Sequence, residues 1–90
     1  MPTISLFHGI SIRMFFNDHA PPHFHATHGR DEAKFSVTDG EMIGGRMGRR
    51  QRRLVKQWAM MYHDDLMGCW NAVRADQQPE RIPGLGANDE

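Results

Sequence analysis

The sequence predicts an α+β fold, a small and mainly antiparallel sheet of four or five strands with C-terminal helices packed on one face. Three observations carry this reading. Apolar residues alternate with period two through the first half of the chain, and from Arg49 they recur at helical spacing. Between the two regimes stand Gly44, Gly45 and Gly48, read as the end of the sheet region.

The elements follow in order. ISLF, residues 4–7, and the run 10–16 form a hairpin joined at His8-Gly9. In the second run Ile10, Ile12, Met14 and Phe16 share one side, and Ser11, Arg13 and Phe15 the other. A third strand is expected at residues 23–27. After the turn HGRDE a fourth follows, with Ala33, Phe35 and Val37 inward and Lys34 and Ser36 outward. Asp39-Gly40 signals a tight turn into a short EMI strand.

Leu54, Val55, Trp58, Met61 and Tyr62 then fall on one helical stripe, and Leu66, Cys69, Trp70 and Val73 on a second. The phase breaks near His63-Asp64-Asp65, which predicts two helices, residues 48–63 and 65–75, with Asp64 or Asp65 capping the second. Trp58, Trp70, Met61 and Leu54 are expected to pack on Ile10, Ile12, Met14, Phe24 and Phe35. Residues 1–85 are expected to form one domain, and the Pro- and Gly-containing end to leave residues 86–90 as a disordered tail.

Ninety residues suffice for one small core. The single cysteine, Cys69, rules out an internal disulfide and belongs to an apolar stripe. The N-terminus has neither the charged region nor the long apolar run of a secretory signal, and no apolar run approaches the roughly 20 residues that span a bilayer. A cytoplasmic location without membrane contact is expected. The formal net charge is zero, yet Met42 to His63 holds six basic residues and no acidic one. That asymmetry suits phosphates or an acidic partner, and equally a solvated helix face.

The segment NDHAPPHFHATH, residues 17–28, holds four of the six histidines. Together with the MPTI start, the helical tryptophans and the terminal IPGL, its core Asp18-His19-x-Pro21-Pro22-His23-Phe24-His25 resembles a family of small bacterial proteins described as domain of unknown function 4160. The similarity runs from about Pro2 to Leu85, with departures at His28 and at Met47-Gly48. The resemblance implies no reaction. It implies a component of a two-gene, toxin–antitoxin-like module, with a small partner protein encoded alongside.

Strand geometry directs His23 and His25 to one side and Phe24 to the other. If Phe24 faces the helices, both histidines face away from the core and share the open face with Arg13, Phe15, Lys34 and Ser36. Three readings of the segment stay open. His23 and His25, with His19 or Asp18, could ligate a divalent metal such as zinc. The same four residues could serve as the acids and bases of RNA cleavage, since imidazole changes charge near neutrality. Or Asp18 accepts hydrogen bonds in a proline-stiffened turn, and the histidines are donors satisfied by backbone carbonyls.

The basic run opens the first long helix, where the macrodipole disfavours cations by a few tenths to about 1 kcal/mol. Arginine's planar fork and free helix-terminal N–H groups suit an anion. Arg46, Arg49, Arg50 and Arg53, with Arg13 and Lys34 of the sheet, are therefore the candidate contacts for RNA, DNA or a partner protein. Two function classes follow: a binding module using this basic face and the open sheet, and a ribonuclease-like enzyme using the histidine segment. An uncovered sheet face also invites a homodimer.

Overall fold

The computed structural model describes residues 1–86. Five strands form one antiparallel meander in chain order: β1 (Thr3–Phe7), β2 (Ile10–Arg13), β3 (His23–His28), β4 (Asp31–Ser36) and β5 (Met42–Gly45). Two helices follow, α1 (Arg49–Met61) and α2 (His63–Arg74). The α+β architecture read from the sequence is the one observed.

Each turn has a local cause. His8 and Gly9 both take positive φ, 50° and 74°, the conformation that closes a two-residue hairpin with the twist of its strands. Gly29, at φ 59°, opens the β3–β4 turn. At Asp39-Gly40 the Gly40 N–H donates to the Ser36 carbonyl, and the Glu41 N–H to the Asp39 side chain.

Alternation then buries one sheet face. Ile4, Phe7, Ile10, Ile12, Phe24, Ala26, Ala33 and Phe35 meet Val55, Trp58, Ala59, Leu66, Cys69, Trp70 and Val73 from the helices. Trp58 is central, its ring 5.1 Å from Phe7 and 5.7 Å from Phe24, and its indole N–H donates to the Pro83 carbonyl at 2.8 Å. That bond, with Ile82 N–H to the Ile4 carbonyl at 2.9 Å, ties the IPGL segment to the fold and buries Ile82 and Leu85.

Several expectations are corrected. The second strand ends at Arg13, although Met14 stays buried and donates its N–H to the Pro2 carbonyl. The last strand runs past the expected EMI to take in Gly44 and Gly45, and the sheet ends at Gly45 as the glycines indicated. Gly45 has φ +82°, and a Cβ there would stand 2.3 Å from the Glu32 carbonyl oxygen, so glycine permits this close pairing beside the β4–β5 irregularity. The helix break is at Tyr62, φ −112°, next to the His63-Asp64-Asp65 stretch where the phase placed it, and the helices span 49–61 and 63–74 in place of 48–63 and 65–75. Asp64 and Asp65 occupy the first turn of α2 without capping it through their side chains. Met61 turns outward and is exposed, while Ala59 takes the buried place on the stripe. Residues 87–90 of the expected tail lie outside the described residues. No helix among the described residues is long and apolar enough to cross a membrane.

Candidate functional site

The chain between β2 and β3 carries the histidine segment and is pinned at both ends. Asn17 donates its N–H to the Val73 carbonyl of α2 at 3.1 Å, and Val37 donates to the Pro22 carbonyl at 3.0 Å. Between these anchors the Ala20–Pro21 peptide is cis. The Asp18 side chain lies beside the start of β3.

Three side chains converge there. His23 Nε2 lies 2.9 Å from Asp18 Oδ2, and His25 Nε2 lies 3.6 Å from the same oxygen. The ligating atoms of all three residues fall within 4.8 Å of one another. The far side of His23 is fixed, because Nδ1 donates to the Pro21 carbonyl at 2.7 Å. A ring whose Nδ1 proton is committed to a carbonyl presents Nε2 to the cluster. His25 Nε2, by contrast, is shielded from solvent and has no hydrogen-bond partner.

The walls are aromatic. The His23 ring lies 5.2 Å from Trp70, whose own ring has the Arg74 guanidinium 5.7 Å from its centroid. Phe15 stands edge-on to His25 at 4.4 Å. His23 is therefore buried, 5 % exposed, against the helix layer, which corrects the expectation that it faces away from the core with His25. The register explains the difference: His23 begins β3 at the rim of the sheet, where a ring on the outer face still reaches Trp70 around the end of the strand.

Partial burial works against ionisation of Asp18, but the His19 N–H bond to Oδ1, at 2.8 Å, and the charge and hydrogen bond of His23 outweigh it. The carboxyl is held below the usual carboxylate range. For His25 burial dominates, and the cationic fields of His23 and Lys34 add to it against the attraction of Asp18. The ring is held below the usual histidine range and favours the neutral form.

On the open face the register is as the alternation required. Arg13 pairs with His25, and His25 with Lys34, so three basic side chains form one row across β2, β3 and β4. His23 pairs with Ser36. Beyond Lys34 the row meets Gly44, and the missing side chains of Gly44 and Gly45 leave a groove of about 420 Å³ lined by His25, Glu32, Ala33 and Lys34. Glu32 Oε2 is 4.0 Å from His25 Nδ1.

The structure thus joins Asp18, His23 and His25, and leaves His19 out. The His19 side chain is exposed and contributes only its backbone N–H. The arginines form a separate surface. Arg46 pairs with Asp31 at 3.5 Å, and Lys56 with Glu41. Arg49, Arg50, Arg52 and Arg53 are exposed and make no ion pair among the described residues. They lie on the first turns of α1, whose N-cap, Gly48, supplies no side-chain cap, and whose first turn holds no acid. The cations in the histidine row are Arg13 and Lys34, and Arg49, Arg50, Arg52 and Arg53 belong to the helix layer.

Trp70, the Pro21 carbonyl and Glu32 were not legible as parts of the centre. Trp70 reads only as a core stripe residue, a backbone carbonyl leaves no mark in sequence, and Glu32 is one of eleven acids until the register places it beside His25. The arrangement supports two chemistries: two imidazoles and a carboxylate in the spacing of ligands to one cation, or a neutral imidazole beside an ionised acid for proton transfer.

No curated protein and no solved structure matches the sequence. A family does, over residues 9–71, from the hairpin glycine into α2 just past Trp70, a span that includes the whole Asp18–His23–His25 centre and the arginine run. The chain belongs to the family described as domain of unknown function DUF4160.

Proposed function

We propose that the protein is one component of a two-gene, toxin–antitoxin-like module and that it acts by binding nucleic acid, RNA in the first instance, through the opening turns of α1. The observation that carries this reading is the set Arg49, Arg50, Arg52 and Arg53, exposed at an acid-free helix start and without ion pairs among the described residues, while the basic residues at either end of the run are paired. Cations at a helix N-terminus oppose the macrodipole, so helix stability does not account for them. Phosphate does: the uncapped N–H groups and the planar guanidinium forks both address its oxygens. The module and its small partner protein come from the family resemblance. The open sheet face, with Phe15 and His25, is the surface proposed for that partner or for a second copy of the chain.

The test is a titration of labelled single-stranded RNA with wild-type protein and with Arg49→Ala plus Arg53→Ala, at low salt and again in the presence of the partner protein. Loss of RNA binding in the variant supports the reading. Equal RNA binding by both proteins removes it, and loss of partner binding alone moves the arginines to a protein interface.

A second reading, ribonuclease-like cleavage, is favoured by the convergence of Asp18, His23 and His25. In it the neutral His25 takes the proton of the ribose 2′-hydroxyl, and Arg13 and Lys34 face the phosphate. It predicts RNA cleavage that disappears in His25→Gln with the fold retained. Intact RNA after prolonged incubation with the wild type counts against it.

A further inference from the structure

We propose that Asp18 Oδ2, His23 Nε2 and His25 Nε2 bind one divalent first-row transition-metal ion. The proposal stands apart from the nucleic-acid reading, because it rests on different residues in a different layer of the fold.

Four observations carry it. One carboxylate oxygen faces two imidazole nitrogens, 2.9 Å from one and 3.6 Å from the other, and because His23 Nδ1 already donates to the Pro21 carbonyl, a neutral His23 turns a lone pair, not a proton, toward that oxygen. Donor pairs at such separations are what ligands about 2.0–2.2 Å from a common ion produce. His25 Nε2 is the unsatisfied member, cut off from solvent with no hydrogen-bond partner, and buried nitrogens without partners are rare enough to need a reason. Finally, His23 has the outer contact of a metal-ligating histidine, its Nδ1 donating to a backbone carbonyl, while the Glu32 carboxylate lies 4.0 Å from His25 Nδ1, beyond hydrogen-bond distance.

The donor set selects the ion. Two imidazoles and one carboxylate suit zinc, iron(II), cobalt or nickel, whereas magnesium and calcium prefer oxygen ligands throughout. Three protein ligands leave coordination positions open. Of the three, Asp18 is the most open to solvent, its side chain 23 % exposed, and His23, packed 5.2 Å from Trp70, the least. His19 and His28 take no part, and Cys69 Sγ is engaged elsewhere, donating to the Glu80 carbonyl.

Untagged protein stripped with a chelator is titrated with Zn(II) by calorimetry and with Co(II) by visible absorption. The wild type is expected to take up one ion per chain. In Asp18→Asn and in His25→Gln the Zn(II) affinity falls by more than about tenfold, while His19→Ala and His28→Ala bind as the wild type does. Circular dichroism checks that the variants fold. If either does not, the wild type decides alone: Zn(II) must shift the ring nitrogen resonances of His23 and His25 and leave those of His19 and His63 in place. No saturable uptake by the wild type, unchanged affinity in both folded variants, or shifts confined to other histidines overturns the proposal.

Discussion

His23 is held from both sides by Asp18 and its own chain: Nε2 lies 2.9 Å from the Asp18 carboxylate, and Nδ1 donates to the Pro21 carbonyl at 2.7 Å. A ring so engaged does more than occupy space, because it locks the β2–β3 connection onto the rim of the sheet. In metal-free protein Asp18→Asn is expected to cost about 1.5–3 kcal/mol, the range for a hydrogen bond to a charged group. Urea unfolding measures it, and a cycle with His23→Gln isolates the pair. A coupling energy near zero would show that the contact does not form in solution.

The same centre sets a pH dependence. His25 is held below the ordinary histidine value of 6.5, chiefly by burial, so between the two values the unfolded chain binds the proton that the folded chain resists. Its contribution to stability is therefore complete above 6.5 and is lost as pH falls through the lower folded value. Asp18, held below the ordinary 3.8, adds a second loss at still lower pH. Urea midpoints in chelator should fall on acidification from neutrality, and His25→Gln should flatten the first step while leaving the second.

Gly45→Ala places a Cβ against the Glu32 carbonyl at φ +82° and should destabilise the domain by more than about 1 kcal/mol. Gly29→Ala shares the positive φ but meets nothing within 4 Å, and should cost less. Thermal unfolding of the two variants compares them directly, and equal costs would mean that the β4–β5 pairing is looser than described.

Cys69 is buried and donates its thiol to the Glu80 carbonyl, and burial first, with Asp65 and Glu80 nearby, pushes its pKa up to about 11. At pH near 8 native protein should react with a thiol reagent far more slowly than protein in denaturant, because little thiolate forms and access is blocked. Equal rates would show that the Glu80–Pro83 segment does not cover α2.

Period two and helical spacing made the layers readable, since each depends only on which residues alternate. Phe24 inward and His25 outward followed from the same rule, and so did the row of Arg13, His25 and Lys34 once the registers were in place. His23 escaped it. Its position at the start of β3 lets it reach Trp70, 47 residues later in the sequence, and no local pattern encodes that contact. Met61 escaped for a different reason: it closes α1 off the face that Val55, Trp58 and Ala59 bury, so a place on the edge of the apolar stripe left it exposed. Choosing Asp18 over His19 as the third member likewise required the path of the proline connection, because adjacent residues there point apart.

The dependence of RNA affinity on salt tests the central claim most directly. If Arg49, Arg50 and Arg53 contact phosphates, replacing all three with alanine should weaken binding and flatten the slope of log affinity against log salt by about 2, since each single-strand phosphate contact contributes about 0.7. The Asp18→Asn plus His25→Gln protein, altered only in the other layer, should keep the wild-type slope. A triple arginine variant with the wild-type slope and affinity, or a histidine-centre variant that loses both, would contradict the account.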